Sequence, residues 1–204
     1  TLAIIFQYLL PNEERSGTGV KLFALPDRSL FTLGILAFCC MMCEGAMFDW
    51  SGIYFKKVVG ADKAWIGAGY TAFMCTMAAG RFIGDWVVGQ LGFTRTVQIS
   101  GLLITAGLAI SLVFPYLVPA ITGFFLVGLG VSSVVPLVYS RAGRSKTLSP
   151  GVALAAVSSI GFLGFLVGPP VIGVVAGISS LRVSFVIIAL MGLSVALIAR
   201  YIQK

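Results

Sequence analysis

The chain has no histidine. That absence excludes histidine metal sites, catalytic triads built on a histidine base and histidine proton relays. No other ligand set or cofactor motif stands in for them, so no metal and no cofactor is expected. Charge is scarce as well: 10% of the 204 residues are charged, against about 25% in a typical soluble domain. With 58% hydrophobic residues and a mean hydropathy of +1.03, the chain cannot cover itself with a water-compatible surface. A soluble enzyme and a nucleic-acid-binding module are excluded on that ground, and an all-α integral membrane protein is the reading. Cysteine is sparse and lies within apolar runs, at Cys39, Cys40, Cys43 and Cys75. Cys39 and Cys43 stand one helical turn apart, a spacing that a soft metal could use, but burial as small apolar residues is the simpler account. Nothing suggests a disulfide framework.

What the chain has instead is long apolar runs. Residues 1–10 (TLAIIFQYLL) read as the tail of a helix, and residues 11–29 as a polar linker holding Glu13, Glu14, Arg15, Lys21, Asp27 and Arg28. Six apolar stretches follow, at about 30–54, 64–86, 96–116, 119–140, 151–177 and 181–200. Each is long enough to cross roughly 30 Å of hydrocarbon as a helix. The uncharged link Val87–Thr94 between the second and third is bracketed by Arg81, Asp85 and Arg95, and a break is expected there. Thr1 opens the chain without a methionine or a basic, signal-like start, so a fragment of something larger is expected.

The basic residues are unevenly placed. One side of such a bundle collects Arg15, Lys21, Arg28, Arg81, Arg95, Arg141, Arg144, Lys146, Arg200 and Lys204, and the other Lys56, Lys57, Lys63 and Arg182. Ten against four marks the first side as cytoplasmic, with both ends of the six-span unit there. The formal charge of +7 is then a rim excess facing the lipid bilayer, and no nucleic-acid partner is expected. Trp50, Tyr54 and Trp65 fall near the outer interface, and Trp86 and Tyr201 near the inner one, as an aromatic belt requires.

Two charges do not fit this pattern. Glu44 and Asp49 lie inside the first full span, where each acidic group costs roughly 2.5–3.5 kcal/mol on insertion scales. At about 100° per residue, the five-residue offset sets them roughly 140° apart, so they do not share a face. Glu44 shares its face with Cys40, Met41 and Met47, side chains suited to a cavity wall. It is the candidate for hydrogen-bonding a substrate or carrying a proton. Asp49, beside Gly45 and Gly52, is a second candidate in which a structural role weighs more.

Gly80-Arg81-Phe82-Ile83-Gly84-Asp85 closes the second span, and Gly92 and Arg95 open the third. Gly80 and Gly84 form a small-xxx-small pair suited to close helix contact. Asp85 falls at a helix C-terminus, whose partial negative charge repels it. It therefore needs a cation, and Arg81 and Arg95 can supply one. Such a cluster on a short cytoplasmic link is expected to act as a gating latch. The pattern G-R-x-x-G-D followed by Gly92 and Arg95 resembles the signature of the major facilitator superfamily between its second and third, or eighth and ninth, helices. CEGAMFDWSGIY in the first span, GLGVSSVVPLVYSRAGR at 128–144 and GFLGFLVGPPVIG at 161–173 resemble the fucose-permease-like bacterial branch.

The resemblance covers nearly the whole chain after the linker. It implies the C-terminal six-helix half of a twelve-helix transporter. Residues 1–10 would end helix six, 11–29 would form the central cytoplasmic loop, and 30–204 the bundle; an N-terminal six-helix half is the missing partner. In the family the first and fourth helices of each half line the cavity. Pro136 interrupts the fourth and frees a carbonyl near Ser132, which makes Ser132, Ser133 and Tyr139 binding candidates, with Tyr70, Met74, Ser158 and Ser159 behind them. Related sequences often carry an amide where Ser132 and Ser133 stand, which weakens the transfer of a sugar-binding role. Gly161, Gly164, Gly168, Gly173 and Gly177 around Pro169-Pro170 suggest a bending, close-packed gating helix. Arg141, Arg144 and Lys146 form a basic loop expected to meet anionic headgroups.

The expected function is secondary active transport of a small polar solute by alternating access. A sugar-like solute and proton symport in a bacterial inner membrane are the finer expectations. The alternative is a six-helix homo-oligomeric channel or membrane scaffold. An intramembrane enzyme is a poor reading, because no Ser/Lys or paired-Asp arrangement recurs at one depth.

Overall fold

A computed structural model describes residues 28–201. The helix tail expected at 1–10, the linker up to residue 27 and Lys204 lie outside the described residues. Five helices follow one another: α1 (Arg28–Tyr54), α2 (Ala68–Val113), α3 (Leu117–Ala142), α4 (Pro150–Ile178) and α5 (Leu181–Tyr201). A π-helical turn at Phe55–Val59 and a 3-10 turn at Lys63–Trp65 join α1 to α2. The described residues contain no strand. All five helices are long and apolar enough to cross a membrane.

Helix α2 has 46 residues, about 69 Å at 1.5 Å per residue, roughly twice what one crossing needs. It is two crossings. Gly92 carries φ 77° and ψ 163°, a backbone region essentially reserved for glycine, and the direction of the chain changes there. Thr76 donates to the Phe125 carbonyl at 2.9 Å, and a Cβ on Gly80 would lie 2.7 Å from the Ser132 Cβ, so residues 68–91 run along α3 in its own direction. A Cβ on Gly130 would meet the Ser100 carbonyl at 2.6 Å, while one on Gly123 would meet the Gly107 backbone, so residues 93–113 run against it. Six crossing segments result. The expected link Val87–Thr94 is corrected: Val87–Leu91 stays helical, and the reversal is confined to Gly92, since one glycine in that conformation suffices to turn the chain. The second crossing therefore runs to residue 91 instead of 86, and α1 begins at Arg28, inside the span assigned to the linker.

Helix α1 is the most enclosed segment. It lies along α4, while α2 packs on α3 and α5. The glycines of α4 serve this contact. A Cβ on Gly164 would strike the Phe38 backbone, one on Gly168 would sit 3.0 Å from the Met42 carbonyl, and one on Gly161 3.0 Å from Ala37. Pro169 deprives the Phe165 carbonyl of its helical partner, and that oxygen lies 2.9 Å from where a Cβ on Gly45 would be. Only a glycine lets the α1 backbone approach it so closely.

At the end of the bundle near residues 54 and 113, Tyr54, Phe55, Phe124 and Phe185 form a buried aromatic node, with Tyr54 and Phe185 centroids 4.5 Å apart. The Tyr54 hydroxyl donates to the Ser111 carbonyl at 2.7 Å. Residue 115 is proline, so that carbonyl has no amide to accept from one turn on. Tyr54 caps it. The expected interfacial role of Tyr54 is thus corrected: it is fully buried because a carbonyl orphaned by Pro115 needs its hydroxyl. Facing outward are Phe82, Leu166 and Val118, at 90%, 71% and 71% exposure. Cys39, Cys40 and Cys43 are buried, and Cys75 is exposed.

Candidate functional site

Glu44 sits sixteen residues into α1, roughly 24 Å from its first residue and 15 Å from its last. Arg81 sits roughly 20 Å from the start of its crossing and roughly 17 Å from the break at Gly92. Both charges therefore lie at mid-depth, and they meet. The Arg81 Nη2 stands 3.6 Å from the Glu44 Oε1, the only ion pair among the described residues. The two partners are unequally covered, the Arg81 side chain being 53% exposed and that of Glu44 13%. The pair thus shows its cation to the open side of the bundle and keeps its anion against the helices. Arg81 also approaches the Met77 sulfur at 3.9 Å.

This geometry corrects the expected latch. Asp85 does not end its helix, which continues to Leu91, and its ion pair with Arg81 or Arg95 is not formed among the described residues. Arg81 reaches sideways to α1 instead. Asp85 lines a cleft of about 200 Å³ with Arg81, Arg144, Ser132, Ser133 and Ser140, so the cations that share its cleft are Arg81 of its own helix and Arg144 of the loop after α3, not Arg95. Gly80 and Gly84 are notches for that same helix: a Cβ on Gly84 would lie 3.0 Å from the Ser133 Oγ.

The remaining candidates separate. Ser132 is 2% exposed, fills the notch over Gly80 and donates to the Leu129 carbonyl at 2.7 Å. It packs between the helices and also lines the Asp85 cleft. Ser133, 3.3 Å away from it, is half-buried at the edge of the Asp85 cleft. Tyr139 is half-buried, with its hydroxyl 3.7 Å from the Met41 sulfur, three residues before Glu44 on α1. Cys40 and Met47 are fully buried, so they form core rather than the cavity wall expected beside Glu44. Asp49 is exposed and lines a separate cleft of about 360 Å³ with Lys56 and Tyr70, away from Glu44. Ser158 and Ser159 are turned to their own helix, both donating to the Ala155 carbonyl. Among the described residues no group of three or more Cys, Asp and Glu side chains gathers to hold a metal.

Sequence reasoning missed the partnership of Glu44 with Arg81. Its signal was present: no charge occurs between Asp85 and Arg95, so the helix could run on to Gly92, which moves Arg81 from the rim to the middle.

No family model matches the chain. Its sequence is 36% identical over 90% of its length to an uncharacterized MFS-type transporter of Yersinia pestis. It is 35% identical over 94% of its length to the membrane protein MosC of Rhizobium meliloti. The chain spans about half the length of these curated relatives, 48% and 47%, and their names state no substrate. Among solved structures, a peptide transporter POT (E310Q mutant) in complex with sulfate superposes with a TM-score of 0.76 at 21% identity, over 86% of this chain and 37% of that one. The POT family transporter PepTSo gives 0.72 at 16% identity, over 86% of this chain and 38% of that one. At these identities the likeness is one of fold.

Proposed function

Since this chain is similar over 90% of its length to an MFS-type transporter, we propose that it belongs to the major facilitator superfamily and forms one half of a secondary active transporter, with Glu44 and Arg81 as its charged centre. It is an integral, multi-pass membrane protein. The protein moves a small polar solute by alternating access, rocking against an N-terminal half of similar size. Relatives about twice as long, one of them named a transporter, favour this over a homo-oligomeric channel or scaffold.

The observation that carries the reading is an ion pair at mid-depth with its guanidinium half exposed. Placing either charge in hydrocarbon is costly, and packing alone does not need them. With both groups ionised, Glu44 holds Arg81 and the centre is neutral. A proton on Glu44 removes the charge that holds Arg81, and the guanidinium becomes available to an anionic or hydroxyl group of the solute. Tyr139 and Ser133 border the same region. Proton and solute then act on one pair, which is the requirement for symport. Asp49 remains a minor candidate at the far end. Gly80, Gly84, Gly92 and Asp85 form the gating segment, with Arg144 taking the part first given to Arg95. A sugar-like solute is the finer proposal and rests on the sequence resemblance alone. Among described residues, Arg28, Arg95, Arg141, Arg144, Lys146 and Arg200 crowd one end against Lys56, Lys57, Lys63 and Arg182 at the other, which supports a cytoplasmic location for the first, in a bacterial inner membrane.

The test is uptake by the full-length parent in proteoliposomes, with sugars, amino acids and short peptides, with and without an imposed proton gradient. Glu44→Gln is expected to abolish gradient-driven accumulation while sparing solute exchange, and Arg81→Gln to abolish both. Unchanged accumulation in Glu44→Gln overturns the assignment.

A further inference from the structure

A second charged site lies at the end of the bundle where α3 meets α4. A cavity of about 550 Å³ opens there, lined by Arg141, Arg144 and Lys146 together with the hydroxyls of Ser29, Ser140, Ser145 and Thr147. No acidic residue lines it, and none of the three cations has an ion-pair partner among the described residues. Three cations with no counter-charge among the described residues repel each other around one concavity, and a lipid surface alone does not require them to converge. They are also held in place. The Arg141 guanidinium lies 4.6 Å over the Phe93 ring, a contact that orients its plane. The Ser145 Oγ accepts from the amides of Thr147 and Leu148 at 3.3 and 3.4 Å, which fixes the loop between Arg144 and Lys146. The remaining wall is apolar, built from Leu30, Leu33, Val88 and Leu137.

From this we infer that the cavity binds a phosphate group, presented by an anionic lipid headgroup or by a soluble phosphorylated solute. Two guanidinium forks, an ammonium and several hydroxyls supply more donors than one carboxylate can use, and they suit the oxygens of a tetrahedral anion. The apolar wall gives the body of an amphiphile a place to lie. Arg144 also lines the Asp85 cleft, so an anion bound in the cavity competes with Asp85 for one cation. This site is separate from the Glu44–Arg81 centre, and its test does not depend on transport.

The purified full-length parent in dodecyl maltoside is titrated with dioctanoyl phosphatidylglycerol, dioctanoyl phosphatidylcholine, glycerol 3-phosphate and inorganic phosphate, and thermal stabilisation is followed. Saturable stabilisation by phosphatidylglycerol but not phosphatidylcholine is expected, with Arg141→Gln/Arg144→Gln/Lys146→Gln weakening it at least tenfold and Arg200→Gln leaving it unchanged. Equal protection by glycerol 3-phosphate or phosphate supports the site and assigns it to a soluble group; protection by phosphatidylglycerol alone supports it and assigns it to lipid. Where the triple variant does not fold, Arg144→Gln and Phe93→Ala are each expected to weaken binding several-fold. No stabilisation by any phosphate carrier, or equal weakening by Arg200→Gln, overturns the proposal.

Discussion

A carboxylate and a guanidinium at mid-depth are worth more to each other than either is to the lipid. Removing one leaves the other without its counter-charge, so Glu44→Gln and Arg81→Gln are each expected to destabilise the full-length parent. The double substitution should recover part of the loss, giving a coupling of roughly 0.5–3 kcal/mol in a double-mutant cycle read by thermal unfolding in detergent. Strictly additive losses would mean that the 3.6 Å approach carries no energy. Tyr54 poses the same question for a neutral group. Tyr54→Phe keeps the ring in its node but deletes the donor to the Ser111 carbonyl, and a loss of about 1–2 kcal/mol is expected, whereas a tyrosine held only by its ring would tolerate the change. Both residues were visible in the sequence and both of their partners were not. A tyrosine near a span end reads as an interfacial ring, and an arginine five residues before an expected helix end reads as a rim charge. Only the neighbours, Pro115 in one case and an uncharged run up to Gly92 in the other, reveal the carbonyl and the helix length that change each reading.

The elements themselves were largely legible, because roughly twenty apolar residues leave a helix little choice in a membrane. Ends of α3, α4 and α5 fall within two residues of expectation. The link between the second and third crossings was misjudged, since hydropathy cannot distinguish an uncharged loop from a helix that turns on one residue. Gly92 bears that turn. A Cβ there would meet nothing within 4 Å, so Gly92→Ala costs backbone strain without a clash, of order 1–3 kcal/mol. Circular dichroism should show intact helix content alongside a lowered melting temperature; an unchanged melting temperature would mean the turn tolerates other geometries. Gly164 is the opposite case, since its Cβ would strike the Phe38 backbone. Gly164→Val is expected to prise α4 from α1 and abolish accumulation of folded protein, measured by fluorescence-detected size exclusion. The glycine run of α4 is expected to permit close backbone approach, with the proline pair bending the helix, and Gly161, Gly164, Gly168 and Gly173 all lie against α1.

At the scale of the molecule, the half-exposed Arg81 and the apolar outer surface belong to a bundle that shows one charged centre on an open side. This chain spans about half of its curated relatives, and the centre it holds has no opposite wall within the described residues. Reconstituted alone, it is expected to give no uptake of any solute that the full-length parent accumulates; measurable flux from the lone bundle would favour the channel alternative. The distribution of sulfur offers a way to follow the parent at work. Three of the four thiols are enclosed in α1 and one, Cys75, is open on the same helical crossing as Arg81. Among the described residues a maleimide or spin label thus finds a single exposed thiol, set about 120° around the helix from Arg81, and its reaction rate reports solvent access to that other face of the same crossing.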